Sequence, residues 1–152
     1  MFPFKKILCP TDFSEASLCG IKMAKEMVDK FDSEVILLNV HKPIRHLPVP
    51  RMEASDITFD VTGFEKAIVE EARDSLAELK KTILGDTAKV KLLVHIGHPA
   101  KDILKVAEEE NVEAIFIATH GRSGLTKFMF GSVAQRIIRQ AHCPVLSIRS
   151  CD

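Results

Sequence analysis

One stretch near the end of the sequence, "ATHGRSGLTKFMFGSVAQRI" (118–137), has the residue types of an anion site. It holds three of the chain's seven glycines, Gly121, Gly124 and Gly131. Glycine lacks a Cβ, so a ligand can approach its backbone closely. Ser132 then opens a helix-like pattern, and the first N–H groups of a helix attract anions. Arg122 and Lys127 add positive charge to the same loop. Together these features predict a phosphate cradle.

The glycines alone leave a second interpretation open, in which they are turn residues between a strand and the last helix. The stretch lacks the P-loop pattern G-x-x-x-x-G-K followed by Ser or Thr. It also lacks the dinucleotide pattern G-x-G-x-x-G, and it follows the fourth apolar run rather than the first. His120 lies in this loop as a candidate phosphate contact, and a turn role for it is equally open.

A carboxylate follows the first apolar run, in "CPTDFSE" (9–15). Asp12 is therefore expected at the carboxyl edge of the first strand, where parallel α/β sheets bind ligands. There it could accept hydrogen bonds from ribose hydroxyls. Asp12 or Ser14 could instead cap the first helix, and a cap and a ribose contact are compatible.

These residues need a framework of strands and helices to bring them together. Five short apolar runs rich in Val, Ile and Leu predict buried parallel strands: 5–9, 34–40, 89–96, 113–119 and 144–148. Helical patterns separate them: 14–31, 63–84, 99–110 and a last one opening at 131. Alternating strands and helices with right-handed crossovers predict a doubly wound α/β fold in a single domain, 1–152. The stretch 41–62 is expected to be a long irregular loop.

The whole chain resembles the universal stress protein family. Nucleotide-binding members carry G-x-x-G, nine residues, and then Gly followed by Ser or Thr. Here "ATHG" (118–121) is followed by nine residues and by Gly131-Ser132. The runs "ILCPTDFSEAS", "VILLNV" and "CPVLSI" match other blocks of the family. One position departs from the motif, since Ala118 replaces its first glycine. A methyl group there could press on the ribose.

The resemblance implies a Rossmann-like five-stranded parallel sheet in the order 3-2-1-4-5, flanked by four helices. It also implies an adenine nucleotide site (ATP, AMP or ADP, with Mg²⁺ as a candidate companion) and a homodimer through the last strand, 144–148. Asp12 would hold the ribose, and the Val40 backbone would meet the adenine. The residues implied to line the adenine side or to receive the phosphates are Pro10, Thr11, Gly121, Gly131, Ser132 and Val133.

Charge and hydropathy narrow the classes of function. Lys and Arg balance Asp and Glu at 21 each, which argues against general binding to nucleic acid or to a membrane surface. No run approaches the roughly 18 apolar residues of a membrane span, and we expect a cytoplasmic protein. The leading hypothesis is a stress-response protein with ATP as a regulatory ligand. Its alternatives are a nucleotide-free dimeric interaction module and a slow ATPase.

Catalytic and metal signals are weak. "HIGH" (95–98) spells an adenylyl-transfer signature, but it follows the third strand, so we interpret it as a strand end and a turn. The histidines show no recognisable zinc spacing, and no metal site is expected. The loop has no acidic residue between Ala118 and Ile137, and no nucleophile can be identified. We therefore expect at most slow ATP hydrolysis.

Overall fold

The computed structural model describes residues 2–44, 60–119 and 131–149. Within them, five strands alternate with four helices. The strands are β1 (Lys6–Pro10), β2 (Glu34–His41), β3 (Val90–Ile96), β4 (Ala114–Ala118) and β5 (Val145–Ile148). The helices are α1 (Glu15–Phe31), α2 (Val61–Leu79), α3 (Pro99–Glu109) and α4 (Ser132–Gln140).

The strands form one parallel sheet in the order β3-β2-β1-β4-β5, which confirms the predicted fold class and strand order. β1 is central, and its Leu8 pairs with Ile36 of β2 and with Ile115 of β4. The chain reverses direction across the sheet between β1 and β4, so their carboxyl ends define the switch point of a doubly wound fold.

Two apolar layers cover the sheet. On one face, Ile7, Leu37 and Phe116 pack with residues of α1 and α2. On the other face, Leu8 and Ile115 pack with residues of α3 and α4. Because both faces are covered, the strands are continuously apolar rather than alternating, as their sequences indicated.

Helix α1 lies close to β4. A Cβ built on Gly20 would stand 3.1 Å from the backbone oxygen of Phe116, which is tighter than almost all real Cβ contacts. The absence of a side chain at this position therefore sets how near α1 can approach the sheet.

The second helix differs from its prediction, which ran unbroken from Gly63 to Leu84. It begins earlier, at Val61, because the Asp60 side chain accepts a hydrogen bond from the Gly63 N–H at 3.0 Å. The α-helix ends at Leu79, and Lys80–Leu84 continue as a π-helical turn. Of the predicted loop 41–62, the first residue belongs to β2 and the last two to α2, and residues 45–59 lie outside the described part.

Among the described residues, none of the helices combines the length and the apolar character needed to cross a membrane.

Candidate functional site

A cavity of about 470 Å³ opens at the carboxyl ends of β1, β2 and β4, where the fold places its switch point. The first turns of α3 and α4 form its opposite wall. Eight of the predicted site residues line it: Pro10, Thr11, Asp12, Val40, Ala118, Gly131, Ser132 and Val133. The other five, His120, Gly121, Arg122, Gly124 and Lys127, lie outside the described residues.

Thr11 anchors the turn between β1 and α1. Its N–H donates to the Leu38 carbonyl at 2.9 Å, which extends the pairing of β1 with β2 by one residue. Its hydroxyl lies 2.8 Å from the Ser17 hydroxyl and accepts from the Phe13 N–H at 3.0 Å. Phe13 has a positive φ of 64°, so the chain turns sharply before α1 begins.

Asp12 is held in a defined orientation. Its Oδ1 accepts from the Ser14 N–H at 3.0 Å and from the Ser14 hydroxyl at 2.5 Å. Ser14, in turn, is the N-cap of α1 and accepts from the Ser17 N–H. Of the two predicted capping candidates, Ser14 therefore caps the helix, and Asp12 orients the cap while lining the cavity.

The start of α4 forms the other side of the cavity. Gly131 is its N-cap, and the Gly131 N–H donates to the Thr119 carbonyl at 2.7 Å, which fixes the helix start against the end of β4. Gly131 has no side chain with which to cap the helix. Ser132 and Val133 follow it along the cavity wall. Backbone N–H groups of a first helical turn, with the helix dipole behind them, suit an anion.

The cavity walls between these two ends are largely apolar. Pro10 and Val40 come from the sheet, Ile103 from α3 and Val133 from α4. Such walls suit a flat apolar ring system, since pockets for small ligands combine apolar sides with a few placed polar groups.

Ten of the eighteen lining residues were not predicted, and Lys42 and Asn39 are two of them. Lys42 follows β2, is exposed and brings a positive charge to the cavity. Asn39 is 3% exposed, and its side-chain Nδ2 donates to the Thr11 carbonyl at 2.8 Å. The one sequence signal for Asn39 is a polar residue inside the apolar run "VILLNV" (35–40), and this signal does not say what the side chain contacts.

The "HIGH" residues take the structural role predicted for them. β3 ends at Ile96, and His98 is the N-cap residue of α3. Neither His95 nor His98 lines the cavity, whereas Pro99, which follows them, does.

Comparison with known proteins identifies the family to which the chain belongs. The sequence profile of the Universal stress protein family matches residues 3–149. This chain belongs to the universal stress protein family. Universal stress protein MJ0577 of Methanocaldococcus jannaschii is 31% identical to it, with 96% of this chain and 95% of the relative aligned. The solved structure of MJ0577 superimposes with a TM-score of 0.81 over 97% of each chain.

Two more distant structures of the family were solved with nucleotides. One is a universal stress protein in complex with cAMP, at 18% identity and a TM-score of 0.63, with 97% of this chain and 98% of the other aligned. The other is a family member from Arabidopsis thaliana with AMP bound, at 17% identity and a TM-score of 0.62, with 97% and 92% aligned. At these identities the two structures share the fold of this universal stress protein.

Proposed function

We propose that this universal stress protein binds an adenine nucleotide as a regulatory ligand, and ATP is the leading candidate. One observation carries the proposal. The cavity at the switch point has an oriented carboxylate, Asp12, on one side and a helix start, Gly131-Ser132, on the other. A nucleotide has matching parts, because its ribose hydroxyls donate hydrogen bonds and its phosphates are anions.

In the proposed arrangement the nucleotide follows the edge of the sheet. Its phosphates lie at the start of α4 beyond β4, its ribose at Asp12 beyond β1, and its adenine near Val40 at the end of β2. The apolar walls would enclose the adenine ring. The loop residues His120, Gly121, Arg122, Gly124 and Lys127 are proposed to complete the phosphate end. The cAMP and AMP complexes of family members support this class of ligand.

Ala118 ends β4, is 7% exposed and lines the cavity. Its methyl group replaces the hydrogen of the first motif glycine. We therefore propose that the affinity for the nucleotide is modestly lower than it would be with glycine at this position, because the methyl group would narrow the space beside the ribose.

The same site favours binding over catalysis. Phosphoryl transfer needs a positioned nucleophile and commonly a metal held by carboxylates. Among the described residues that line the cavity, Asp12 is the only acidic one, and its Oδ1 is engaged by Ser14. A slow ATPase remains the alternative, and phosphate release in the presence of Mg²⁺ would distinguish it from a binding protein.

Titration calorimetry with ATP tests the site. We expect Asp12→Ala to weaken ATP binding about tenfold or more, since hydrogen bonds to a charged group contribute about 1.5–3 kcal/mol. Asp12→Asn should fall between the parent and the alanine variant, because the amide keeps one acceptor oxygen for Ser14 while losing the charge. Asp60→Ala is the matched control: it removes an aspartate that, like Asp12, supports the start of a helix, in this case as the N-cap of α2, and it should leave ATP affinity unchanged.

Two outcomes would contradict the proposal in different ways. Equal ATP affinity in the parent and Asp12→Ala would show that the ribose lies elsewhere. No ATP binding by the parent, in protein freed of copurified ligand, would favour a nucleotide-free interaction module.

The proposed state of the protein is a homodimer through β5. This strand is the last in the sheet and pairs on one side with β4. Its Leu146 is 40% exposed, and an apolar edge strand can add a strand from a second copy. Closed two-fold dimers are the commonest result of such pairing.

A further inference from the structure

The side chain of Ser14 ties the carboxylate of Asp12 to the first turn of α1. The Ser14 N–H and hydroxyl both donate to Oδ1 of Asp12, at 3.0 Å and 2.5 Å. The hydroxyl has a single proton, which it gives to Asp12, and its oxygen accepts from the Ser17 N–H at 3.3 Å. Each of these hydrogen bonds therefore has one direction, and together they limit how the carboxylate can turn.

Buried neighbours hold Ser14 itself in place. Ser17 is 5% exposed, and its hydroxyl donates to the Ser14 carbonyl at 2.8 Å. Since this bond uses the one proton of the Ser17 hydroxyl, the hydroxyl of Thr11 donates to the Ser17 oxygen at 2.8 Å. Thr11 is 6% exposed, and its backbone is bonded to β2. The hydrogen bonds thus run from the edge of the sheet through Ser17 to Ser14, and from there to Asp12.

Fixing Asp12 in advance favours a ligand that uses its carboxylate. An aspartate side chain rotates about two bonds, and holding it in one orientation costs free energy if the ligand must do so on binding. Hydrogen bonds that already restrict the side chain remove part of this cost, which is why binding groups act best when neighbouring residues support them.

We infer that Ser14 is a positioning residue, whose hydroxyl preorganises Asp12 for the ribose of the nucleotide. Ser14 is not among the described residues that line the cavity, so it acts through Asp12 rather than on the ligand. The inference rests on the proposed function and deepens it, because it assigns part of the affinity for ribose hydroxyls to the N-cap of α1. A nucleotide without these hydroxyls gains nothing from an ordered Asp12.

Two ligands and two substitutions test the inference by titration calorimetry. ATP is compared with 2′,3′-dideoxyATP, which keeps the base and the phosphates but lacks both ribose hydroxyls. We expect the parent to bind ATP about tenfold more tightly or better. Ser14→Gly removes the hydroxyl but leaves a favoured N-cap residue, and it should lower this ratio about threefold or more by weakening ATP. Ser14→Thr keeps a hydroxyl and should keep the ratio.

A double variant separates positioning from a purely structural role. In Asp12→Ala the two ligands should bind almost alike. Adding Ser14→Gly to it should cause no further loss of ATP affinity, because the group that Ser14 positions is gone. A weakened start of α1 would instead lower the affinity for both ligands, with or without Asp12. Urea unfolding of each variant measures any accompanying loss of stability.

The possible failures of the inference and of the proposed function differ. If the parent discriminates and Ser14→Gly keeps its ratio, the inference is overturned while the ribose contact at Asp12 stands. Equal weakening of both ligands by Ser14→Gly also overturns it, since Ser14 would then act only as the helix cap. A parent that binds the two ligands equally, or binds neither, would refute the ribose placement in the proposed function, and the role of Ser14 with it.

Discussion

Gly131 has a backbone that any residue could adopt, with φ −58° and ψ 146°. A Cβ built on it would lie 3.4 Å from the Thr119 carbonyl oxygen, which is an ordinary contact. The fold therefore does not require glycine here. Glycine is a favoured N-cap residue, and at this position it would also leave space for a ligand at the helix start.

The first residue-scale prediction separates binding from folding. Gly131→Val should weaken ATP binding about tenfold or more by filling the approach to α4, while lowering the free energy of unfolding by no more than about 1 kcal/mol. Gly85→Ala is the opposite control, because Gly85 has φ 89°, where a side chain is strained. It should destabilise the fold and leave affinity unchanged.

Calorimetry and urea unfolding on both variants decide the matter. If Gly131→Val binds ATP like the parent, the phosphates do not lie at the start of α4, and that part of the assignment fails.

At this scale, the sequence predicted the placement of residues that stand between a strand and a helix. Asp12 and Gly131 each stand directly between a strand and a helix, so their position at the sheet edge follows from the order of the elements. Asn39 was missed because its partner, Thr11, is distant in sequence, and only the pairing of β1 with β2 brings the two together. A polar residue in a strand sequence does not indicate which distant group its side chain will hydrogen-bond.

At the scale of elements, α1 shows that close packing can favour glycine inside a helix despite its low helix propensity. Glycine inside a helix normally costs about 1 kcal/mol relative to alanine. Gly20 is in the middle of α1, but its missing Cβ is what allows the helix to approach Phe116. The carbonyl it would meet is backbone within the central part of the sheet and has little freedom to move.

Gly20→Ala should therefore destabilise the protein by about 1–2 kcal/mol, because the strain of overpacking exceeds the gain in helix propensity. Urea unfolding of the parent and the variant measures the difference. A variant that is more stable than the parent would show that α1 can shift away from β4 at little cost.

Apart from the end of the second helix, the element boundaries were predicted to within two residues, because apolar runs and capping residues are local signals. The exception is the π-helical turn at Lys80–Leu84. The apolar pattern from Phe64 to Ile83 indicates helix throughout, and a change from α to π hydrogen bonding leaves no mark in that pattern. The predicted helical range 63–84 therefore did not distinguish the α-helix from the π-helical turn that follows it.

For the whole molecule, the testable point is assembly through β5. Leu146→Arg should convert a dimer of about twice 16.9 kDa into a monomer with little loss of monomer stability, because Leu146 is already 40% exposed. Phe64→Arg is the control: Phe64 is 47% exposed on α2, which packs on β3 and β2 at the other edge of the sheet.

Light scattering at micromolar concentration reads the mass directly. A parent that is monomeric, or a Leu146→Arg variant that stays dimeric, would contradict pairing through this strand. If the Phe64→Arg variant dissociates, the interface lies at the opposite edge of the sheet instead.

The strand order of the whole sheet was an expectation carried by family resemblance rather than by residue patterns. Apolar runs separated by helices predict parallel strands, but they do not say which strands are neighbours. The structure confirms the order 3-2-1-4-5 and so places Asp12 and Gly131 at one cavity. The loop from His120 to Phe130 lies outside the described residues, and its predicted part in the site remains a prediction.

The residues at the two ends of the cavity come from distant parts of the chain, and this determines when the cavity can form during synthesis. Thr11 and Asn39 leave the ribosome early, whereas Gly131 and Ser132 follow only after β4 has been synthesised. A growing chain has the carboxylate of Asp12 and the amide of Asn39 early, but the proposed anion cradle cannot form until α4 has been synthesised. A ligand that spans both ends binds only the assembled fold and stabilises that state. A nucleotide in this cavity would therefore bind only to chains in which α4 has been synthesised and the central strands of the sheet have paired.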